Sequence, residues 1–150
     1  MLREVLPADT GEICAIYNHY VENTSVTFDE EPLSLEQMQA KVEQVSAGYP
    51  WIVYVDSGRL LGYAYAAQWK PRAAFRYTAE ASIYVHEEAT GRGVGVQLYQ
   101  SLLDRLHSRG VHLVVAGISL PNEASIRLHR KLGFKEAGCW LQAGYKFDRW

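Results

Sequence analysis

Thr90-Gly91-Arg92-Gly93-Val94-Gly95 decides the fold because of what stands on either side of it. Before it, Thr78 to His86 alternates: Ala79, Ala81, Ile83 and Val85 fall on one face, Glu80, Ser82 and Tyr84 on the other. That is the period of a β-strand. After it, Val94, Leu98, Leu102 and Leu106 recur every four residues, with Tyr99 and Leu103 widening the stripe, as in an amphipathic helix. A glycine turn in that place leaves the first helical amides without partners, beside the positive end of the helix dipole. Such a site attracts an anion, most often phosphate. A P-loop would close the glycine run with Lys-Ser or Lys-Thr, and neither follows here. A dinucleotide fingerprint counted from Gly91 needs a third glycine where Val96 stands. No acidic residue follows a second strand at the expected distance either. The turn alone leaves two readings open, a pyrophosphate cradle and a plain chain reversal.

With 150 residues the chain is expected to form one domain, 1–150, with room for a true core. It is 48% hydrophobic and 21% charged, the composition of an ordinary globule. Fifteen basic and 17 acidic residues are intermixed, for a net charge of −2, which argues against nucleic acid as a partner. Cys14 and Cys139 lack metal-like spacing and read as plain thiols in a reducing compartment. Met1-Leu2-Arg3-Glu4 does not start a signal peptide, and no apolar run reaches membrane length. The cytoplasm is the expected location, with no membrane partner.

The rest of the chain divides readily. Leu2 to Leu6 reads as a strand, and Asp9 with Glu12 opens a helix with Ile13, Ile16, Tyr17 and Tyr20 inside. Asn23 to Pro32 is a loop. Ser34 with Gln37 forms a capping box for a helix ending near Gly48. Trp51 to Val55 and Leu60 to Ala66 make a hairpin about Asp56-Ser57-Gly58. A loop from Gln68 to Tyr77 leads into the alternating strand. Val111 to Ser119 reads as another strand, and Asn122-Glu123-Ala124-Ser125 opens a short helix that ends at Leu132-Gly133-Phe134.

Strand, Gly-x-Gly turn, helix, strand, Asn-started helix and Gly-Phe together resemble the GNAT acyltransferase superfamily. Trp69-Lys70-Pro71-Arg72, Thr78-Ala79-Glu80, Ser82 to Val85, His129 and Gly144-Tyr145-Lys146-Phe147 are similar, within it, to the phosphinothricin and methionine-sulfone N-acetyltransferases. The likeness runs from about Ile13 to Trp150. It implies an α/β fold of order β-α-α-β-β-β-α-β-α-β, a mixed sheet whose central strands splay to receive acetyl-CoA. It implies cofactor contacts from Ile83, Tyr84, Val85, Gly91, Arg92, Gly93, Val94, Gly95 and Val96, and from Asn122, Ser125 and Lys131. Thr90 stands where the family prefers Gln or Arg; its amide and hydroxyl would keep binding, with Arg92 and Arg127 or Lys131 compensating the lost charge. The similar enzymes continue past the position of Trp150 into a closing strand, which leaves two readings of this chain: the sequence is truncated there, or its last strand is supplied or omitted in another way.

Acetyl transfer from a thioester to an amine needs a base, a polarised carbonyl, a stabilised thiolate and aligned substrates. An α-amino group has a pKa of about 7.7–8, so part of it arrives protonated. Glu80 is the expected base by resemblance; the plain alternative is a solvated strand carboxylate. His129 lies seven residues after Asn122, where many of the superfamily carry a Tyr acid. It reads as catalytic acid, as binding residue, or as a packed helix histidine. Arg72 suits an α-carboxylate, with Arg76 beside it. Phe28, Glu30, Phe75 and Ser82 complete the expected substrate side. The function expected is acetyl-CoA-dependent N-acetylation of a small amino-acid-like substrate by direct attack, with no metal; a homodimer is compatible with it. A GNAT acting on a protein N-terminus, aminoglycoside or polyamine, and a non-catalytic acyl-CoA-binding module, are the alternatives.

Overall fold

Two periodicities place most of the chain. The computed structural model describes residues 1–150. In order they form β1 (Leu2–Glu4), α1 (Thr10–Asn23), α2 (Leu35–Ser46), β2 (Trp51–Asp56), β3 (Arg59–Gln68), β4 (Thr78–Val85), α3 (Val94–Ser108), β5 (Leu113–Val115) and α4 (Glu123–Lys131). The strands lie in sequence order, β1-β2-β3-β4-β5. All neighbours are antiparallel except β4 and β5, which run parallel.

Alternation along β2 and β3 sorts their side chains onto the two faces of the sheet. Trp51, Val53, Tyr63 and Tyr65 pack under α1 and α2 against Ile13, Tyr17, Val21 and Met38. Ile52, Ala64 and Ala66 face α3, meeting Leu98, Leu102 and Leu106, which are 1% exposed or less. Small residues on that face let α3 lie close. A Cβ added to Gly62 would come within 3.0 Å of the Tyr84 carbonyl and 3.2 Å of Leu98. The hairpin turn places Ser57 at φ 50° and Gly58 at φ 80°, the left-handed pair that suits a two-residue connection.

Local chemistry explains the helix starts. The α2 box forms as expected: Gln37 N–H donates to Ser34 Oγ at 3.2 Å, and Ser34 N–H to Gln37 Oε1 at 2.8 Å. Asp9 differs from its expected role as cap. Its carboxylate instead holds both Arg3 Nη atoms, at 2.6 and 2.8 Å, and the Leu6 amide at 2.7 Å, tying β1 to the start of α1.

Three expected strands are corrected. The first ends at Glu4 rather than Leu6, where the chain turns into the 3₁₀ turn Pro7–Asp9. The one expected over Val111 to Ser119 holds only at Leu113–Val115, because its sole neighbour, β4, diverges from it there. No strand follows α4. Gln142, Phe147 and Asp148 sit at φ 52–57°, which breaks any extended run, and a lone bridge joins Lys146 to Arg149.

Candidate active site

β4 pairs with β5 at three positions only, Thr78 with Leu113, Ala79 with Val114 and Glu80 with Val115. Beyond Glu80 the two chains separate, and Ala81 to Val85 keeps a partner on the β3 side alone. Antiparallel pairing alternates in direction. His86 N–H donates to Leu61 O, so Ser82 and Tyr84 also turn their main-chain groups toward β3. Ala81, Ile83 and Val85 turn theirs into the V. Such an edge accepts an extended, amide-bearing chain as it would another strand. One acceptor is already engaged, since Tyr20 Oη donates to Val85 O at 2.6 Å.

Glu80 stands at the vertex, the last residue of β4 that pairs with β5. Its carboxylate is exposed in the cleft, and the four ion pairs of the chain all lie elsewhere. The facing wall is Gly117. A Cβ added there would stand 4.0 Å from Glu80 Oε1, so glycine leaves the carboxylate its space. A cavity of about 70 Å³ occupies the V, lined among others by Glu80, Ser82, Ile83, Tyr84, Asn122, Ser125 and His129. Seven residues expected at the site, from two separate segments, β4 and α4 with its cap residue, thus meet on one cleft.

The glycine turn adjoins the open end of β4. Gly91 and Gly93 take φ 74° and 79°, the left-handed region where a Cβ is costly, and Gly93 is the residue before α3. The amides of Val94, Gly95 and Val96 open α3 with no carbonyl behind them and no side-chain cap. These donors, with the helix dipole, fit a pyrophosphate, and Arg92 is exposed beside them. Gly95 also lets α4 close in, since an added Cβ would meet Leu128 at 3.2 Å. Thr90 offers less than expected. Its amide and its hydroxyl both donate to Glu87 O, at 3.2 and 2.8 Å, and are spent on the preceding turn.

Asn122 caps α4, its Oδ1 accepting the Ser125 amide at 3.2 Å, which leaves its Nδ2 donor for the cleft. Lys131 ends the same helix, roughly 12 Å further along, and is exposed, as is Arg127. His129 is 5% exposed. A carbonyl only accepts, so the 2.7 Å contact to Ser125 O puts the ring proton on Nδ1. Nε2 then accepts from Tyr99 Oη at 2.9 Å. Burial lowers the His129 pKa, opposed by the Ser125 carbonyl, so the neutral ring is favoured. Both its nitrogens are occupied.

Of the expected substrate side, Ser82 alone lines the cavity itself. Arg72 is exposed and precedes the 3₁₀ turn Ala73–Phe75; Phe75 meets Trp69 edge-on at 5.0 Å. Arg76 is partly engaged, donating to Ala73 O at 3.1 Å and lying over the Tyr77 ring. Phe28 is 56% exposed, and Glu30 is exposed two residues on. Their loop reaches the cleft through Val26, which lines it, and Ser119 Oγ donates to Ser25 O across the mouth. A larger cavity, about 250 Å³, lies by His19, Arg59 and His86. Its polar groups already have partners: Arg59 pairs with Glu88 at 2.7 Å, Glu12 Oε2 accepts the Leu60 amide at 2.8 Å, and His19 Nε2 lies 3.7 Å from Glu87.

Tyr99, Gly117 and Ser119 were not expected here. Tyr99 reads as part of an apolar stripe, and only the Tyr-to-His hydrogen bond across two helices reveals its hydroxyl at the cleft. Gly117 inside an expected strand was the one available signal, since glycine there marks a close approach.

The sequence matches the family model described as "Acetyltransferase (GNAT) family" over residues 13–134. An L-methionine sulfoximine/L-methionine sulfone acetyltransferase of Pseudomonas aeruginosa is 44% identical over 151 residues, covering 99% of this chain and 88% of that one. A phosphinothricin acetyltransferase of Sinorhizobium meliloti, solved in complex with acetyl-CoA, superposes with a TM-score of 0.97 at 37% identity, covering 100% of this chain and 82% of that one. A ribosomal-protein-alanine N-acetyltransferase of Brucella melitensis superposes equally well, TM-score 0.97 at 38% identity, with 100% and 93% covered.

Proposed function

The chain belongs to the acetyltransferase (GNAT) family and is an acetyl-transferring enzyme, and from that premise we propose that it acetylates the α-amino group of a free amino acid of the methionine-sulfone or phosphinothricin type. Acetyl-CoA is the cosubstrate we assign to the V. The observation that carries the reading is Glu80, an unpaired carboxylate at the vertex where the cosubstrate's edge meets the loop of Phe28. The P. aeruginosa relative, at 44% identity, supports an amino-acid substrate over a protein N-terminus.

Each residue then has a task. The amides of Val94 to Val96 hold the pyrophosphate, while Ile83, Val85, Asn122 and Ser125 align the pantetheine arm. Glu80 takes the proton of the substrate ammonium, and the freed amine attacks the thioester directly. The C–N bond forms as the C–S bond breaks, CoA leaves as the thiolate, and the proton the nitrogen then sheds passes through water to the sulfur. His129 has no proton free to give while Ser125 O and Tyr99 Oη hold its nitrogens. We therefore assign it the task of fixing Tyr99 in the cleft wall. Arg72, exposed and without a carboxylate partner, is assigned to the α-carboxylate. The cytoplasm is the compartment we propose, supported by two cysteines that remain free thiols; no helix is long and apolar enough to cross a membrane.

Arg72→Ala tests the substrate class. A charge-assisted hydrogen bond is worth about 1.5–3 kcal/mol, so KM for L-methionine sulfone should rise roughly tenfold to a hundredfold. KM for the corresponding amine without a carboxylate should hardly move. Equal losses for both compounds would assign Arg72 to the fold instead.

A further inference from the structure

We infer that Lys146 is a positioning residue for substrate binding, locking the Phe28 loop against the C-terminal segment with Gly144 as the seat for the Phe28 ring. The inference rests on the proposed function in one respect, that the loop of Phe28 faces the amino-acid substrate.

Lys146 is 5% exposed, an uncommon place for an ammonium. Its Nζ donates to two carbonyls more than a hundred residues away in sequence, Val21 O at 2.6 Å and Thr27 O at 3.0 Å. Val21 lies in the last turn of α1, whose final carbonyls lack helical partners and form the negative end of its dipole. A lysine cation suits that end. Thr27 precedes Phe28, so a bond to its carbonyl fixes the peptide plane from which Phe28 projects. Burial lowers the Lys146 pKa, while Asp29 and Glu30 oppose the fall, so the loop's own acids help to keep the charge in place.

Gly144 acts on the same loop from the other side. A Cβ there would stand 2.5 Å from a Phe28 ring carbon, so only glycine accepts the ring in its present position. The segment is built to aim these two residues. Phe147 and Asp148 both hold left-handed φ values, 52° and 57°, and the Lys146 and Arg149 backbones bond each other at 3.0 and 3.3 Å. Left-handed non-glycine residues persist where their surroundings over-determine them. The loop is also tied elsewhere: Tyr17 Oη donates to Asp29, and Asn18 bonds Leu33 through both N–H and C=O at 2.9 Å. Tyr17 Oη also meets Thr27 Oγ1 at 3.1 Å, but it is Lys146 that bonds the Thr27 carbonyl and Gly144 that borders the Phe28 ring.

Two substitutions test this. Lys146→Met keeps the stem and removes the donors; Gly144→Ala leaves every charge intact and displaces the ring. If the competent loop falls to a tenth of the population, apparent affinity falls in proportion. KM for L-methionine sulfone should therefore rise about tenfold in each, with kcat changed by no more than about twofold and the acetyl-CoA Kd unchanged. On a Phe28→Ala background Gly144→Ala should add nothing. Amide hydrogen exchange without substrate should quicken over residues 24–32 and stay constant in β4 and α3. If Lys146→Met does not fold, the Gly144→Ala and Phe28→Ala pair decides. An unchanged KM in folded Gly144→Ala, or a parallel loss of KM, kcat and acetyl-CoA affinity, would overturn the inference. Wild-type turnover of L-methionine sulfone in the same assay reads the proposed function separately, and the exchange result reads the lock whether or not that turnover is found.

Discussion

Glu80→Gln is expected to lower kcat/KM by about 10²–10⁴-fold at neutral pH, the usual contribution of a positioned general base. Glutamine keeps the shape and hydrogen-bonding reach of the side chain but cannot accept the proton. Glu80 is exposed at the vertex of the V and enters none of the chain's ion pairs, so the fold should be indifferent to the change. The thermal midpoint and the acetyl-CoA Kd should both stay at their wild-type values. The loss should also shrink as the pH rises past about 8, where the α-amino group deprotonates unaided. A steady-state pH profile of the two proteins checks each part. Wild-type activity at pH 7 in the variant would leave deprotonation of the amine to bulk solvent.

Gly93→Asp should weaken acetyl-CoA binding by about a hundredfold or more. Like charges a few ångströms apart near a protein surface repel by up to about 4 kcal/mol. The new carboxylate would sit on the residue preceding α3, beside the amides of Val94 to Val96. Aspartate tolerates left-handed backbone better than most residues, so φ 79° at this position should not by itself unfold the turn. Calorimetric titration with acetyl-CoA reads the effect, and Gly93→Asn separates charge from backbone, since it changes only the latter. Equal losses in both variants would trace the effect to the turn's conformation.

Sequence patterns that rest on local physics were legible. The period-2 run of β4, the four-residue repeat of α3 and the Ser34–Gln37 box each form where their residues predict, because each depends on neighbours a few positions away. The meeting of Glu80, Ser82, Asn122 and His129 was accessible through the motifs around them. What could not be read depends on long-range partners. The end of β5 at Val115 is set by divergence from β4 rather than by its own apolar run. Thr90 looked available to a phosphate until its donors were found on Glu87 O. Tyr99 shares the spacing of a core residue, and its partner His129 lies 30 positions away. Lys146 stands in the sequence only as part of the Gly144-Tyr145-Lys146-Phe147 motif, and its acceptors are fixed only when α1 and the loop after it come to rest on the C-terminal segment.

The central claim is direct transfer from acetyl-CoA, held in the V between β4 and β5, to the amine of a free amino acid. The most direct measurement is release of CoA by wild-type enzyme, followed first with acetyl-CoA alone and then after adding L-methionine sulfone, with the product identified by mass spectrometry. The expected result is no stoichiometric burst before the amino acid is present. Continuous release should follow its addition, matched by N-acetyl-methionine sulfone. A burst equal to the enzyme concentration without amine, or turnover of peptides or polyamines but of no free amino acid, would contradict it.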